Sequence, residues 1–345
     1  MKAAVMKAYG DPDVLVLEEV PTPSPGAGEV LVKVQAALVN RLDHYIRQGE
    51  ITRELRLPHV LGLDAVGEIE ALGAGCSKFK VGDKVIAMPG YPADKAEAHV
   101  RPVTSAKSYA MRGLQLPGSY AQFIVVPEEW ALLDTTGLPP EQIGAMPVPL
   151  TTAIRAVQIT GEVKDSDFVL VHAGGSATGI MSIQVARALG AKVAATVRSD
   201  LAAEVATKAG AELIINTREN SFVDAIMQWT SGRGVDVAID SLGGDSFEAT
   251  IAAVKIQGII VSMGFMAGTE VKFDIRNFFF GQKQIRGCLN ADIEDLEAWL
   301  DRIREGKIRA IVDSVFPLSE AAEAHRRIDS NKAKGGVVLM PWLER

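Results

Sequence analysis

Residues 168–190 read FVLVHAGGSATGIMSIQVARALG, a short apolar run followed by small residues and then by apolar residues at helical spacing. This pattern predicts a strand, a tight glycine-rich turn and a helix, the arrangement whose helix N-terminus binds a nucleotide pyrophosphate. The turn keeps two of the three glycines of the G-x-G-x-x-G fingerprint and has serine at the second, and such turns also occur for packing alone. Its candidate cofactor-binding residues are Gly174, Gly175, Ser176, Ala177, Thr178 and Gly179.

The size and charge of the chain narrow its class. A chain of 345 residues, 48% of them hydrophobic and 32 of them glycine, is typical of a globular α/β protein with two domains. A net charge of −7 without a run of Lys or Arg argues against a nucleic-acid partner, and no apolar run reaches the roughly 18 residues of a membrane span. The N-terminus reads as a strand rather than a signal peptide, and the chain has only two cysteines, so we expect a cytoplasmic location.

The two halves of the sequence differ in pattern. Residues 1 to about 125 are rich in β-branched residues, Gly and Pro, and predict an irregular β-barrel. From about residue 140, apolar strands alternate with helices, which predicts a doubly wound parallel sheet. The predicted strands are Val30–Val34, Asp64–Leu72, Lys84–Ala87 and Phe123–Val126 in the first half, and Lys192–Val197, Leu213–Ile215, Val235–Asp240 and Gly258–Met263 in the second. A helix is predicted over Ile293–Glu305, and a last strand, Val337–Met340, is expected to rejoin the first domain.

Several segments together match a known family. They are Val39–Gly49, Leu57–Gly67, Val81–Val85, Gly118–Gln122, Leu150–Val157, the glycine-rich turn, Gly232–Gly244 and Val315–Arg326. In this order and at these spacings, the chain resembles the medium-chain dehydrogenases/reductases, and most of all their zinc-independent quinone oxidoreductase branch. The resemblance implies an α/β protein with a GroES-like β-barrel catalytic domain at residues 1–125 and 291–345 and a Rossmann domain at residues 126–290. It also implies hydride transfer from a nicotinamide cofactor and assembly as a homodimer or homotetramer.

The second strand of the Rossmann domain indicates which dinucleotide binds. NAD-binding members usually end this strand with an acidic residue that holds the ribose 2′-hydroxyl, whereas Val197 occupies that place here. Arg198 and Ser199 follow, and both could bind a 2′-phosphate through charge-assisted hydrogen bonds. We therefore predict NADPH as the cofactor; the alternative is that Arg198 is a solvated residue at a strand end. Thr217 departs from the family pattern, because many quinone oxidoreductases have a tyrosine there that contacts the adenosine phosphate.

The positions that bind zinc in zinc-dependent members carry other residues. By the resemblance, Asn40 replaces the first ligand, a cysteine, and Leu63 replaces a histidine, and neither is a usual zinc ligand. We therefore expect no metal site. Residues 88–119 have the length of the structural-zinc lobe of such relatives but contain no cysteine. This segment is either a metal-free lobe that packs against another subunit or overhangs the active site, or a mobile surface loop.

Without zinc to polarise a carbonyl group, reduction of a quinone or an α,β-unsaturated carbonyl compound is favoured over simple alcohol oxidation. The segment Asn40–Arg47 resembles the family sequence that lines the nicotinamide pocket. By that resemblance Asn40 bonds to the nicotinamide or the substrate oxygen, Tyr45 orients the substrate or relays a proton, and Asp43 fixes the loop. Tyr45 could instead be a core residue. The proton-donor tyrosine of mitochondrial-type enoyl reductases is missing after Gly49, so a fatty enoyl thioester is a less favoured substrate.

The remaining cofactor-binding candidates lie in the Rossmann half: Thr152, Leu242, Met263, Gly264 and Phe265. Thr152 is expected to open a helix near the nicotinamide carboxamide, and the others follow strands at the carboxyl edge of the sheet, where ligands bind. Packing is the alternative role for each of them. His325 is predicted on an exposed helix without a catalytic role. Two other functions remain open for the whole chain: a zinc-independent alcohol or aldehyde dehydrogenase, and a non-catalytic NADPH-binding protein.

Overall fold

The computed structural model describes residues 1–344. The strands within these residues are β1 (Lys2–Met6), β2 (Leu15–Glu19), β3 (Glu29–Leu38), β4 (His59–Val60), β5 (Ala65–Leu72), β6 (Lys84–Ala87), β7 (Gly90–Pro92), β8 (Tyr109–Met111), β9 (Phe123–Pro127), β10 (Ala131–Leu133), β11 (Phe168–Val171), β12 (Lys192–Val197), β13 (Leu213–Asn216), β14 (Val235–Asp240), β15 (Val254–Ser262), β16 (Gln284–Gly287), β17 (Val312–Pro317) and β18 (Gly336–Met340). The helices are α1 (Arg41–Gln48), α2 (Pro140–Gly144), α3 (Pro147–Ala153), α4 (Ala177–Ala188), α5 (Asp200–Lys208), α6 (Phe222–Trp229), α7 (Phe247–Ala253), α8 (Ile275–Phe280), α9 (Ile293–Glu297), α10 (Leu300–Arg304) and α11 (Ala321–Asp329). No helix among residues 1–344 has both the length and the apolar character needed to cross a membrane. The chain divides into two compact units: the first contains residues 1–148 and the segment that begins at residue 292, and the second contains residues 149–291.

The first unit is built around β3. This strand pairs antiparallel with β5, β9 and β18, and the sheet runs in the order β10-β6-β5-β3-β18-β17, with β9 also on β3. The register between β3 and β5 shifts twice, and such bulges bend a strand, which accounts for the irregular barrel. β18 lies beside β3, and this pairing confirms that the C-terminal strand rejoins the first domain.

Residues 126–148 belong to the first unit, so the chain divides later than the expected boundary between residues 125 and 126. β9 runs to Pro127 and pairs with β3, and β10 pairs with β6. A Cβ atom at Gly144 would lie 2.6 Å from the Cβ of Ala36, so this glycine lets α2 approach β3 closely. These contacts were hidden from the sequence because they join segments that are far apart along the chain.

The second unit contains a six-stranded parallel sheet in the order β13-β12-β11-β14-β15-β16. The chain moves outwards from β11 to β13 and then adds β14 on the other side of β11. The strand order therefore reverses beside β11, which is where open α/β sheets bind their ligands. Leu170, Ala194 and Ala238 are fully buried on three neighbouring strands, as expected for a sheet covered on both faces. This confirms the doubly wound Rossmann-like sheet.

Two predicted helices differ from those in the structure. The helix expected over residues 293–305 is two short helices, α9 and α10, which are separated by Ala298 and the buried Trp299. Thr152 does not open a helix. α3 begins at Pro147, since proline suits the first helical position, and it continues past Thr152 into a π-helical stretch, Ile154–Thr160.

Candidate active site

The glycine-rich turn joins β11 to α4 at the point where the strand order reverses. Ser176 is the N-cap residue of α4, and its Oγ accepts a hydrogen bond from the Gly179 amide at 3.0 Å. The serine that departs from the glycine fingerprint therefore caps the helix. The amides of Ala177 and Thr178, in the first turn of α4, have no intrahelical acceptor, and the turn contains no acidic residue. This helix N-terminus suits an external anion.

Close packing requires glycine at two positions of the turn. A Cβ atom at Gly174 would lie 2.8 Å from the Cβ of Ala195 in β12, and one at Gly179 would lie 2.3 Å from the carbonyl oxygen of Ala173. The turn is therefore held tightly against the sheet while its small side chains leave room for a phosphate group. The partly exposed residues of the turn are Ser176, Ala177 and Thr178, and Gly175 is buried. These features fit a dinucleotide pyrophosphate.

The end of β12 is followed by an exposed cation, and the first acidic residue after the strand is Asp200, in the first turn of α5. Val197 is the last residue of the strand and is buried, whereas Arg198 is exposed. Among residues 1–344, the guanidinium of Arg198 has no hydrogen-bond or ion-pair partner. Ser199 is the N-cap residue of α5, where its Oγ accepts a hydrogen bond from the Ala202 amide at 3.3 Å. Its hydroxyl proton is still available to a phosphate oxygen.

The loops after β14 and β15 are held by Asp240. Its Oδ1 accepts hydrogen bonds from the amides of Leu242 and Gly243, each at 2.8 Å, and its carbonyl oxygen accepts one from the Met263 amide at 2.9 Å. A Cβ atom at Gly264 would lie 2.8 Å from the carbonyl oxygen of Ser241, so the two loops touch. The sequence analysis did not single out Asp240; its signal is a carboxylate at the end of an otherwise apolar strand.

A cavity of about 540 Å³ opens beside the loop after β15. Its walls include three of the candidate residues, Met263, Gly264 and Phe265, together with Phe247, Phe273 and Cys288. This volume lies within the range of about 300–1,000 Å³ that is usual for small-molecule sites. Thr152, elsewhere in the second unit, donates a hydrogen bond from Oγ1 to the Asn290 side chain at 3.0 Å.

In the first unit, Asn40 is the N-cap residue of α1. Its Oδ1 accepts a hydrogen bond from the Leu42 amide at 3.1 Å, and its own amide donates to Oδ2 of Asp43 at 2.9 Å. Asp43 also accepts hydrogen bonds from the Gly62 amide at 3.0 Å and from the Tyr120 hydroxyl at 2.9 Å. Asp43 therefore fixes the start of α1 to the loop before β5.

Burial raises the pKa of two carboxyl groups in this region. Asp43 is fully buried, and the loss of solvation raises its pKa to about 7 although three hydrogen bonds oppose the change. Asp64 is also fully buried, and its Oδ1 accepts a hydrogen bond from the Val148 amide at 2.5 Å. Burial raises the pKa of Asp64 well above its ordinary range, and the charge of Asp43 adds to this effect.

Tyr45 lies on α1 and is partly exposed. Its ring meets the ring of His44 edge-on, with 5.3 Å between the ring centres. Partial burial raises the pKa of the Tyr45 hydroxyl, so the phenol stays protonated at neutral pH and can donate a hydrogen bond. A partly exposed phenol with this property is compatible with contact to a ligand as well as with a packing role.

The expectation of an exposed His325 is wrong, because this side chain is fully buried. Its Nδ1 accepts a hydrogen bond from Nε of Arg47 at 3.1 Å, and its ring meets Tyr120 edge-on. Burial and the nearby Arg47 lower the pKa of His325 well below its ordinary range, so the ring is neutral. Arg47 also donates to Asp329 at 2.6 Å, which ties α1 to α11. The polar residues around His325 in the sequence suggested an exposed helix, but they occupy its other face.

Residues 88–119 form a lobe attached to the first unit. β7 pairs with β8, and Glu97 accepts hydrogen bonds from the amide and the hydroxyl of Ser108 at 2.8 and 2.7 Å. The Val103 amide donates to Asp292 at 2.7 Å, which fastens the lobe to the segment before α9. Within residues 1–344, no three side chains of His, Cys, Asp or Glu are grouped so that they could hold a metal ion.

The chain is similar to known dehydrogenases over nearly its whole length. Residues 26–136 match the family described as alcohol dehydrogenase GroES-like domain, and residues 177–305 match the family described as zinc-binding dehydrogenase. The chain is 29% identical to the quinone oxidoreductase of Lama guanicoe, over 99% of this chain and 97% of that protein. It is 29% identical to a 2-haloacrylate reductase of a Burkholderia species, over 98% of each. A solved structure of an NAD-dependent alcohol dehydrogenase is 34% identical, with a TM-score of 0.93 and 99% of both chains covered.

Proposed function

The chain belongs to the medium-chain dehydrogenase/reductase superfamily and is an oxidoreductase, and we propose that it uses NADPH, without zinc, to reduce a quinone or an α,β-unsaturated carbonyl compound. The relatives named quinone oxidoreductase and 2-haloacrylate reductase support a reductase that acts on a small molecule. The residues at the two early zinc positions support the zinc-independent form, because the amide of Asn40 and the buried alkyl group of Leu63 are not usual zinc ligands.

The end of β12 carries the proposal for NADPH. A 2′-phosphate needs a cationic partner, which Arg198 supplies, and Val197 takes the place of the strand-end acid that would repel it; the next acidic residue along the chain is Asp200, in the first turn of α5. The guanidinium of Arg198 has no partner among residues 1–344, so it loses no existing ion pair when a phosphate binds. Ser199 adds a hydroxyl at the start of α5. The alternative is NAD, which the name of the 34% identical structure favours, and binding measurements with both dinucleotides distinguish the two.

The reduced nicotinamide, when bound, supplies a hydride. Asn40 uses Oδ1 to cap α1, and its side-chain amide group, which also hydrogen-bonds to the buried Asp64, is the donor that we propose for an oxygen that gains negative charge. Tyr45 supplies a second donor, a protonated phenol, to orient the substrate or relay a proton. Asp43 acts through position alone, because its oxygens are already engaged by Asn40, Gly62 and Tyr120.

We also propose that the chain forms a homodimer or homotetramer. β16 is an edge strand of the parallel sheet, and the neighbouring α8 exposes the large apolar side chains of Phe279 and Phe280. An unpaired edge beside exposed aromatic groups favours pairing with another chain. The expectation of a cytoplasmic location rests on Cys76 and Cys288, which are both free thiols.

An acceptor panel tests the proposed reaction. The purified protein is assayed for oxidation of NADPH and of NADH with quinones, enones, 2-haloacrylates and simple aldehydes, and its metal content is measured on protein never exposed to a chelator. We expect turnover with NADPH and a quinone or an enone, at low zinc content. Turnover only with aldehydes or alcohols favours the dehydrogenase alternative, and tight NADPH binding without any turnover favours the binding protein. One zinc ion per chain contradicts the zinc-independent assignment.

A further inference from the structure

A single histidine ring lies inside the apolar parallel sheet of the second unit. His172 directly follows β11 and is fully buried. Burial of a polar ring is costly unless each nitrogen has a partner. Both nitrogens have one: Nδ1 lies 2.9 Å from Oγ1 of Thr196, and Nε2 lies 3.0 Å from Oγ1 of Thr250. Neither ring nitrogen of His172 is therefore buried without a hydrogen-bond partner.

The partners determine where the protons lie. Burial lowers the pKa of His172 although Asp240 is near, so the ring is neutral and has one donor and one acceptor. The Thr250 hydroxyl lies 3.0 Å from Oδ2 of Asp240 and 3.2 Å from the carbonyl oxygen of Ser246, and the carboxylate is the closer and stronger acceptor. Thr250 therefore donates to Asp240 and accepts from Nε2–H of His172. Nδ1 is then the acceptor, and it receives the hydroxyl proton of Thr196.

The same bonds extend at both ends to the loops of the dinucleotide site. Oγ1 of Thr196 accepts a hydrogen bond from the Ala173 amide, which begins the glycine-rich turn, at 3.3 Å. At the other end, Oδ1 of Asp240 accepts the amides of the loop after β14, as described above. We call this series the His172 chain; its members are Ala173, Thr196, His172, Thr250, Asp240, Leu242 and Gly243. It is continuous and directed, and each hydroxyl in it donates once and accepts once.

The His172 chain joins the carboxyl ends of three adjacent strands, β12, β11 and β14. Each of these strands leads into a different loop: the one with Arg198, the glycine-rich turn, and the one with Leu242. We propose that His172, in its neutral Nε2–H form, is a positioning residue that holds these three loops in the arrangement that binds the dinucleotide. The role in binding rests on the proposed function, whereas the tautomer and the connections are properties of the protein alone.

Thr250 offers the sharpest test, because it lies on α7 and outside all three loops. Thr250→Val keeps the shape of the side chain but breaks the chain, and we expect the Kd for NADPH, measured by fluorescence titration, to rise about tenfold. Thr250→Ser keeps the hydroxyl and should restore the wild-type Kd. Thr230→Val is the matched control. Thr230 is another buried threonine of the second unit, and its Oγ1 donates to the Ile226 carbonyl at 2.7 Å and accepts from the Gly234 amide at 2.9 Å.

Thr230→Val should lower the melting temperature without changing the Kd. A Kd for Thr250→Val equal to that of Thr250→Ser, or an equal rise for Thr230→Val, overturns the proposal. A double-mutant cycle adds a second readout. Thr196→Val and Thr250→Val act on opposite sides of one ring, so the double variant should lose clearly less affinity than the sum of the single losses. Additive losses contradict a connection through His172.

Nitrogen NMR of the histidine-labelled protein without dinucleotide tests the tautomer separately. We expect the His172 signals of a neutral Nε2–H ring at neutral pH. A protonated ring or an Nδ1–H ring overturns the proposed direction of the chain. Wild-type protein that shows the expected NMR signals but binds neither dinucleotide contradicts the proposed function, and it removes the binding role while leaving the connections intact.

Discussion

The two units contain helices that begin with the same kind of cap and differ in charge. α1 starts at Asn40 and has Asp43 in its first turn, so the capping box is closed by a carboxylate of the protein itself. α4 starts at Ser176, and its first turn contains no acidic residue. Both N-terminal dipoles attract negative charge. In the first unit a buried carboxyl group of the protein accepts a hydrogen bond from the Asn40 amide at this position, whereas the first turn of α4 has no such group.

This difference separates the start of α1, which a side chain of the protein fills, from the start of α4, for which we propose a ligand. The carboxylate of Asp43 is buried and bonded to three parts of the first unit, and its position serves the folded structure. The start of α4 is partly exposed and lined by small residues. The capping residues alone do not distinguish α1 from α4, whereas the residues of their first turns differ in charge type.

The largest effect is expected at Asp43, at the start of α1. The pKa of Asp43 is raised to about 7 in the folded protein from an ordinary value of 3.8, so the folded state binds more protons than the unfolded state between these values. The contribution of Asp43 to the free energy of unfolding is therefore full below about pH 4 and falls by roughly 4 kcal/mol as the pH rises to about 7. Denaturant unfolding from pH 4 to pH 8 should show a smaller decline in Asp43→Asn than in the wild type.

The decline should not vanish, because the pKa of Asp64 is raised in the same direction. A variant whose free energy of unfolding changes with pH as steeply as that of the wild type contradicts the role given to Asp43. The melting temperature of the variant at pH 4 reports separately on the hydrogen bonds that the substitution disturbs.

The second test introduces an acidic residue at the start of α4. Ala177→Asp places a carboxylate in the first turn of α4, as Asp43 does in α1, and it should raise the Kd for NADPH about 100-fold because it repels the pyrophosphate. The melting temperature should stay the same or rise, since an acid in this turn favours the helix by about 0.3–1 kcal/mol. Ala177→Asn has nearly the same shape without the charge and serves as the control. Equal losses of affinity in both variants mean that the effect is steric.

The smallest effect is expected at Arg198, which follows β12. Arg198→Ala should raise the KM for NADPH about tenfold through the loss of a charge-assisted hydrogen bond, and it should change the KM for NADH little. Lys208→Ala removes an exposed cation at the other end of α5 and should leave both constants unchanged. If Arg198→Ala changes both KM values equally, Arg198 does not contact the 2′-phosphate.

Strands and turns could be predicted from the sequence where local pattern and burial agree. β12 and β14 are covered on both faces, so their apolar runs gave the observed bounds, Lys192–Val197 and Val235–Asp240. The glycine-rich turn was recognised for a similar reason, because backbone geometry there restricts the residue type. The family resemblance supplied what these patterns cannot, namely the identity of the candidate cofactor and of the residues in the Asn40–Arg47 segment.

The features that were predicted wrongly or not at all depend on contacts between segments that are far apart in the sequence. His325 looked exposed because charged residues surround it in the sequence, and only the arrival of Arg47 and Tyr120 explains its burial. The first domain boundary was placed too early because the pairing of β10 with β6 has no local signature. His172 and Asp240 were passed over, since a polar residue at the end of an apolar strand gains meaning only when the neighbouring strands bring its partners.

The pairing of β18 with β3 also has a consequence for synthesis. The second unit is one continuous stretch, whereas the first needs segments from both sides of it. During synthesis, the parallel sheet can therefore form before Val338 and Leu339 of β18 are available to pair with Ala37 and Leu38 of β3. At ordinary elongation rates, the interval between the synthesis of β3 and that of β18 is on the order of tens of seconds. The unit whose strands are synthesised first is therefore the last to be completed, and until then the β18 side of β3 has no partner strand.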